Sequence, residues 1–428
     1  MEVCSLRCRW GSGACNRLIS SPAMASQLPP NEQLAYLSDG IDVLLPEGEL
    51  LDLLGEGRPL RVKLGVDPTA PDVTLGWAVV FRLLRRFQEM GHVAVLIIGD
   101  FTAQVGDPSA RSETRRRLDT RQVDGYVSSL IDTIKSLLLD ENLEVRYNSE
   151  WLSTMTMTEV LELTSKFTVS RIMDRDDFSK RWEASQPISM IEFMYPLLQA
   201  TDSVAVEADI ELGGSDQLFN LLVGRDLQER SGQRPQLVMT VPLLVGTDGE
   251  KKMSQSLGNY VSVMDPPEEM FGKTMSIPDT AMESWFQLAA GWTSARVTDI
   301  SAGLGDGSLH PGTTKRLLSR EVVALYHSEA EAVAAEAAFD RIFRERGIPD
   351  AVPQHELDHT ESQALPALLT AAGLVTSRSE ARRMLRQGAV RLNGEKVLDE
   401  VVSTELLSGA VLQVGKRRFV RLVPPAAS

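Results

Sequence analysis

From Leu60 the chain changes its hydrophobic period in blocks. LRVKLGVD (60–67) is an apolar stretch ending in a turn, and LGWAVVFRLLRRFQEMGH (75–92) spaces its apolar residues along one helical face up to a Gly-His stop. VAVLIIGDF (93–101) is a continuous apolar run of strand length and β-branched character. Strand, helix and buried strand in succession predict a parallel sheet with helices on its faces. PQLVMTVPLLVG supplies another strand near residue 240, and GGSDQ (213–217) closes one more. Residues 114–200 carry Met, Leu and Ile at three- and four-residue spacings and read as a helical insertion in a doubly wound sheet. From Pro266 to about Arg346 the pattern is again helical, rich in Ala and Glu, and GIPDAVPQHELDHT reads as a linker. The last stretch differs: SRSEARRMLRQG predicts a short basic helix, and AVRLNGEKVL a hairpin around an Asn-Gly turn.

A chain of 428 residues, 43% hydrophobic and 24% charged, has the length for two or three domains and an ordinary globular composition. No apolar run approaches the ~18 residues that would cross a bilayer. The formal net charge of −15 argues against nonspecific coating of nucleic acid. That charge is uneven: Glu361–Ser428 holds ten Lys/Arg against six Asp/Glu, a net of +4, which leaves −19 for the rest. A basic tail on an acidic body suggests a local polyanion contact. All three cysteines, Cys4, Cys8 and Cys15, fall in the first fifteen residues, at no zinc spacing, so a reducing, cytoplasmic setting is expected. The Arg- and Ser-containing opening is open to two readings, an organelle transit peptide or a misassigned start ahead of Met24.

Three stretches carry candidate chemistry. KLGVDPTAPDVTLGWAVV places a Pro/Gly turn between a strand end and a helix N-terminus, where backbone N–H groups and the helix dipole favour an anion. There Thr69 offers a hydroxyl, and Gly76 would let a flat ring lie against the backbone; a purely structural turn explains the same residues. GTDGEKKMSQSLGNY (246–260) sets Lys252, Ser254 and Ser256 in a donor-rich loop suited to phosphate, or in an ordinary solvated one. Tyr195, Gln199 and Asp202 fall on one face of an apolar helix, a costly arrangement unless they hold a polar ligand or one another. Asp216 and Gln217 at a strand end, and Asp107 with the arginines of GDPSARSETRRR, complete the set.

In order, GVDPTAPDVTLG, IGDFTAQVGDPS, YPLLQATD, ELGGSDQ and KKMSQSLGNY resemble the tyrosyl-tRNA synthetases, class I aminoacyl-tRNA synthetases, from about residue 35 onward. The resemblance implies a Rossmann-like α/β catalytic domain at 35–262, with the insertion at about 114–200. It further implies an α-helical, tRNA-contacting domain at 263–345, a linker at 346–358 and a small α+β module like the S4 RNA-binding domain at 359–428. Residues 1–34 are left outside the fold. By the same resemblance Asp107, Tyr195 and Gln199 hold the tyrosine amino group, Asp202 the phenol hydroxyl, and Gln217 lies near the substrate carboxylate. Gly214 and Asp216 match the ribose site, Gly76 and Trp77 the nucleotide wall, and Thr69, Ser254, Lys252, Arg111 and Arg115 the ATP phosphates. Thr69, Thr74, Lys252 and Gln255 would form the catalytic set. Arg378, Arg382, Arg383 and Arg386, with Lys416, Arg417 and Arg418, would contact RNA. ATP enters as a substrate with Mg2+ and no protein-bound metal, the partners are tyrosine and tRNA, and a homodimer is implied.

The departures lie on the nucleotide side. The family's first motif carries two histidines where this chain has Thr74 and Trp77, and its second a lysine where this chain has Gln255. Of His92, His310, His327, His355 and His359, only His92 lies in the catalytic stretch, at a helix end. Activation of an amino acid is attack by an already ionised carboxylate and needs no general base, so catalysis is placement and charge stabilisation. The expected function is therefore ATP-dependent tyrosine activation and transfer to tRNA at a reshaped nucleotide site. The alternative is a pseudo-synthetase that binds tyrosine or tRNA without activating the amino acid.

Overall fold

The structure is a computed structural model that describes residues 28–106, 120–343, 352–358, 362–415 and 418–424. Asp107, Arg111, Arg115, Lys416, Arg417 and the three cysteines lie outside the described residues. The chain divides into two compact units, one ending at Glu329 and one beginning at Ala330.

The first unit is built on a six-stranded sheet in the order β1-β6-β5-β2-β3-β4. Its strands are β1 (Val43–Leu45), β2 (Arg61–Val66), β3 (Val93–Ile98), β4 (Leu143–Tyr147), β5 (Ile210–Gly214) and β6 (Leu237–Val241). β2 pairs in parallel with β3 and β5, β3 with β4, and β5 with β6, while β1 runs antiparallel along β6. The apolar runs read from the sequence are the central strands, since burial on both faces removes any need for alternation. α1 (Leu75–Glu89) turns Ala78, Phe81, Leu84 and Phe87 inward, each fully buried. α2 (Thr120–Leu137) leads to β4. α3 (Met190–Ala205) and α4 (Leu218–Arg230) flank β5, and their facing residues Leu197, Ala200, Val223 and Leu227 form one apolar cluster. Helices including α5 (Pro267–Met275) and α6 (Pro311–Tyr326) complete the unit, as the pattern from Pro266 predicts.

Two expectations need correction. The 114–200 stretch is not a helical insertion throughout, because β4 lies inside it as an edge strand. Every residue of LEVRY is only half-buried, so it shows no apolar run. The linker ends early: Gln354–Glu356 form β7, an edge strand parallel to β13 (Arg418–Val423), and Leu357 is core. Three polar residues at a sheet edge give no strand signal in sequence.

The second unit opens with α7 (Glu329–Phe343). β8 (Ser362–Ala364) pairs with β11 (Val401–Ser403), and a five-stranded sheet runs β10-β9-β12-β13-β7. In it β9 (Val390–Leu392) and β10 (Glu395–Lys396) make the predicted hairpin. Its turn residues Asn393 and Gly394 sit at φ 49° and 88°, as a tight Asn-Gly turn requires. β12 (Val411–Val414) lies between β9 and β13. α8 (Leu365–Ala371) and the basic helix α9 (Arg378–Arg386) bury Leu365, Leu368, Leu369, Ala381 and Leu385 in the same core as Leu412, Val420 and Leu422.

His92 is the one histidine the sequence places in the catalytic stretch, and it is structural. Its buried Nδ1 accepts the Leu60 N–H at 3.2 Å, and burial pulls its pKa down to about 4. The folded state therefore favours the neutral ring. The stability tied to it is complete above the ordinary value of 6.5 and is lost as pH falls toward 4. At ~1.36 kcal/mol per unit the loss reaches about 3 kcal/mol. Urea unfolding followed from neutral pH to about pH 4.5 should show this acid limb in the wild-type protein and a shallower one in His92→Gln.

Candidate active site

Parallel pairing brings the carboxyl ends of β2, β3, β5 and β6 to one edge of the sheet, where ligands of such folds collect. After β2 the turn Asp67–Val73 leads into α1, whose N-cap is Thr74; the Thr74 hydroxyl oxygen accepts the Trp77 N–H at 3.3 Å. This turn is stitched to the segment behind the second loop. The Leu75 N–H donates to Val261 O and the Val263 N–H to Val73 O, both at 2.9 Å. Two side chains reinforce the ladder: Gln255 Nε2 donates to the Asp72 carbonyl at 2.6 Å, and the Tyr260 hydroxyl to the Asp72 carboxylate at 2.9 Å.

These pieces enclose a cavity of about 250 Å³. Thr69, Thr74, Gly76 and Trp77 line it from the first stretch, and Lys252, Ser254 and Gln255 from the second. Tyr195, Gly214, Asp216 and Gln217 complete the wall. Trp77 is half-buried on that wall and does not turn into the core. Lys252 Nζ bonds Asp216 at 2.7 Å, so the cation is held at the cavity by the carboxylate at the end of β5.

On the α3 side the polar groups are fully engaged. Tyr195 donates its hydroxyl to Asp67 Oδ2 at 2.9 Å, and Asp67 Oδ1 accepts from the Thr102 hydroxyl at 2.7 Å. Gly99 makes room for that carboxylate, since a Cβ there would overlap Asp67 Oδ1. Gln199 donates to Glu211 at 3.0 Å and accepts from Asn220 at 3.1 Å. Asp202 accepts from Trp151 Nε1 at 2.9 Å and from Asn148 Nδ2 at 3.4 Å, and burial pushes its carboxyl up to about 7. Gln199 and Asp202 are not part of the cavity wall. They lie on the same buried face of α3, one and two turns beyond Tyr195.

Sequence reading passed over Asp67, Thr102, Asn148, Trp151, Glu211 and Asn220 in this assembly, and Lys63, which bonds Glu211. Asp67 stands inside the GVDPTAP stretch and was legible as the acidic residue of its turn. Asn148 and Trp151 follow β4, the strand that sequence pattern hides.

Residues 55–344 match the family described as tRNA synthetases class I (W and Y), and residues 345–421 match the tyrosine--tRNA ligase SYY-like C-terminal domain. The chain is 47% identical over 395 residues to the tyrosine--tRNA ligase of Moorella thermoacetica, covering 91% of this chain and 95% of that one. The chain belongs to the tyrosine--tRNA ligase family. The family's enzyme from Desulfotalea psychrophila is 44% identical over 396 residues, 92% of this chain and 98% of its own. A solved tyrosyl-tRNA synthetase from Archaeoglobus fulgidus shares the fold, with a TM-score of 0.59 at 22% identity over 72% of this chain and 99% of that one.

Within this ligase-family chain the basic residues of the second unit have unequal roles. Arg378, Arg382, Arg383 and Arg386 are all exposed on α9. Arg382 is paired with Glu400 at 3.2 Å, and Arg418 reaches Glu380 at 3.6 Å and bonds the Leu374 carbonyl. Arg378 and Arg383 have no ion pair among the described residues. Glu380 caps the turn before α9 by accepting from Thr376, which holds the helix start in place.

The Trp151–Asp202 bond makes the indole a reporter of the carboxyl. Protonation removes the charged acceptor from Trp151 Nε1, so the fluorescence difference between wild type and Trp151→Phe should titrate with a midpoint near the value of about 7. Asp202→Asn should abolish that transition; a flat difference spectrum in the wild type would contradict the geometry.

Proposed function

We propose that the chain is a tyrosine–tRNA ligase that activates tyrosine with ATP and transfers it to tRNA. The carboxylate of tyrosine attacks the α-phosphorus of ATP, the bond from that phosphorus to the bridging oxygen breaks, and pyrophosphate leaves. A terminal ribose hydroxyl of tRNA then attacks the acyl carbon of the adenylate and releases AMP. The observation that carries this reading is the single cavity that joins the capped turn of α1, Tyr195 and the Lys252–Gln255 loop.

In this reading Asp202 accepts the phenol hydroxyl, while Tyr195 and Gln199, with Asp107, hold the amino end and Gln217 lies by the substrate carboxylate. A site built to bond a hydroxyl rejects the analogue lacking it by ~10⁴–10⁵, which would exclude phenylalanine without editing. The nucleotide lies against Gly76 and Trp77, with its ribose at Gly214 and Asp216. Thr69, Ser254, Lys252, Arg111 and Arg115 serve its phosphates, and Mg2+ enters with ATP as part of the substrate. Thr74 spends its acceptor lone pair on α1 and keeps its hydroxyl hydrogen for donation. The preformed ladder between the two loops supports a reshaped nucleotide site, because the loops stay joined without the family's histidines and second lysine.

We also read the chain as a cytoplasmic homodimer with domains bounded as sequence predicts, apart from the strands noted above and from α7, which falls in the second compact unit and not with the helices from 263 onward. Exposed Met157, Leu161, Val169, Trp182 and Met190 all fall in one stretch of the helical insertion, at 62–74% exposure, and Met157 and Leu161 share a helix face. Symmetric pairing would cover them. No helix among the described residues is long and apolar enough to cross a membrane.

Pure protein, free of host synthetase, should catalyse tyrosine-dependent ATP–pyrophosphate exchange above an Asp216→Ala control. Gln255→Lys should raise the rate, since an ammonium has three donors and can keep the Asp72 carbonyl while offering a charged N–H to phosphate. Exchange no higher than the control would overturn the ligase reading.

The RNA-binding reading, for α9 and for Lys416, Arg417 and Arg418, is tested on the surface of the folded module. Arg378→Ala/Arg383→Ala/Arg386→Ala should weaken tRNA binding and reduce the slope of log K against log salt by about 0.9 for each phosphate no longer neutralised. Tyrosine-dependent exchange should be unchanged. An unaltered salt slope would remove α9 from the RNA surface.

A further inference from the structure

The charged pair at the centre of the first sheet is not consumed by any step above. Lys63 on β2 and Glu211 on β5 stand opposite each other in the strand register, 0% and 1% exposed, with Nζ 2.9 Å from Oε1. All three ammonium hydrogens have acceptors: Glu211 Oε1 at 2.9 Å, Ser203 Oγ at 2.8 Å and the Gln199 backbone carbonyl at 2.9 Å. Glu211 also accepts from Gln199 Nε2 and Ser203 Oγ, each at 3.0 Å, and from Gln236 Nε2. Gly224 on α4 makes space for this cluster, since a Cβ there would stand 2.7 Å from Gln236 Nε2 and 3.0 Å from Glu211 Oε2.

A buried ion pair is rarely more stabilising than apolar side chains of the same volume, so stability alone does not explain this one. Its partners do. Gln199 and Ser203 bracket Asp202 on α3, so the pair grips the helix on both sides of that carboxylate. Among the described residues, the charges that act on Asp202 are those of the pair, Lys63 from β2 favouring its anion and Glu211 from β5 opposing it more weakly. The side chains that touch Asp202 from the segment after β4, Trp151 and Asn148, are neutral. Asp67, after β2, is linked to Asp202 through Thr102 and Asn148.

We propose that Lys63, locked by Glu211, is a positioning residue for amino-acid selection: it fixes the α3 turn that carries Asp202 and supplies the cation that keeps this carboxylate an anionic acceptor for the substrate's phenol hydroxyl. The inference rests on the reading of Asp202 as the phenol acceptor. Lys63 touches no substrate and acts through its field and through Gln199 and Ser203. Its replacement therefore changes the pH range and selectivity of tyrosine use more than the turnover of bound substrate.

The test is the KM for tyrosine and for phenylalanine in pyrophosphate exchange, measured on the full chain between about pH 6 and 9. The variants are Glu211→Gln, the double variant Lys63→Met/Glu211→Gln, and Asp202→Asn. In the wild type KM for tyrosine should rise on the acid side, with no such limb for phenylalanine. Glu211→Gln, isosteric, leaves Lys63 as the sole charge beside Asp202 and should move the limb to lower pH. The double variant removes the cation and should move it upward; by the effect of a nearby charge each shift is expected to be about half a unit or more. At neutral pH the double variant should raise KM for tyrosine by roughly tenfold, the gap between a charged and a neutral acceptor, with kcat nearly unchanged.

A purely structural role would move both pair variants the same way or alter kcat without moving the limb, and either result overturns the inference. Should one pair variant not fold, the shift in the other still decides the matter: downward in Glu211→Gln, upward in the double variant. Asp202→Asn separates the two layers. A limb that survives in it overturns the reading of Asp202 and this inference with it. A limb lost in Asp202→Asn but unmoved in Glu211→Gln overturns the inference alone.

Discussion

The parallel register of β2 against β3 and β5 is the constraint on which the rest of the structure depends. It ends three strands at the same edge and so puts Asp67, Gly99 and Gly214 within reach of one another's side-chain partners. From that edge the chain must leave in turns, and the turn after β2 must start a helix. Thr74 satisfies one orphan N–H of α1, that of Trp77, and the Val261 carbonyl satisfies another, that of Leu75. A slip of one residue in β2 would reverse every side chain, taking Lys63 away from Glu211 and exposing both to apolar surroundings.

What sequence made legible follows the same physics. β2, β3 and α1 are readable because full burial demands continuous apolar residues in strands and a 3.6-residue period in the helix. The Asn393-Gly394 hairpin is readable because its backbone requires positive φ. Tyr195, Gln199 and Asp202 were legible as a polar face on an apolar helix, and all three are engaged as that cost requires. β4 and β7 were not legible, because an edge strand is half in solvent and needs no apolar pattern. With β4 hidden, Asn148 and Trp151 had no place in the fold. Lys63 and Glu211 were not legible either, since nothing in a single strand says that a lysine has its counter-ion on the neighbour.

The three departures in the nucleotide motifs are distributed across one interface. Thr74 caps α1, Trp77 is the residue whose N–H it accepts, and Gln255 bonds the carbonyl two residues before Thr74. Replacing a lysine by a neutral amide removes a mobile cation and leaves a donor suited to a backbone carbonyl. The loop is thus tied down where the family's lysine would carry a charge toward phosphate. In the proposed reading the trade is order for charge: the loop would spend less entropy on closing over ATP, and the remaining cations would supply more of the field.

In that reading Lys252 would bear more of the field, and its pairing with Asp216 gains a second meaning. A half-buried ion pair that faces an open cavity is partly screened by solvent and stabilises the fold little, on the order of 1 kcal/mol. Such a pair is easily exchanged, so phosphate oxygens can take the ammonium from Asp216 at small cost. The carboxylate is then released for the ribose hydroxyls that the functional reading assigns to it. The buried pair behaves in the opposite way. Lys63 has no solvent to move into and no spare hydrogen, so separating it from Glu211 costs several kcal/mol. The two lysine–carboxylate pairs of this unit therefore divide the work by burial alone: one is weak enough to be broken by a ligand at the cavity, and the other is strong enough to hold the selecting helix still while that happens.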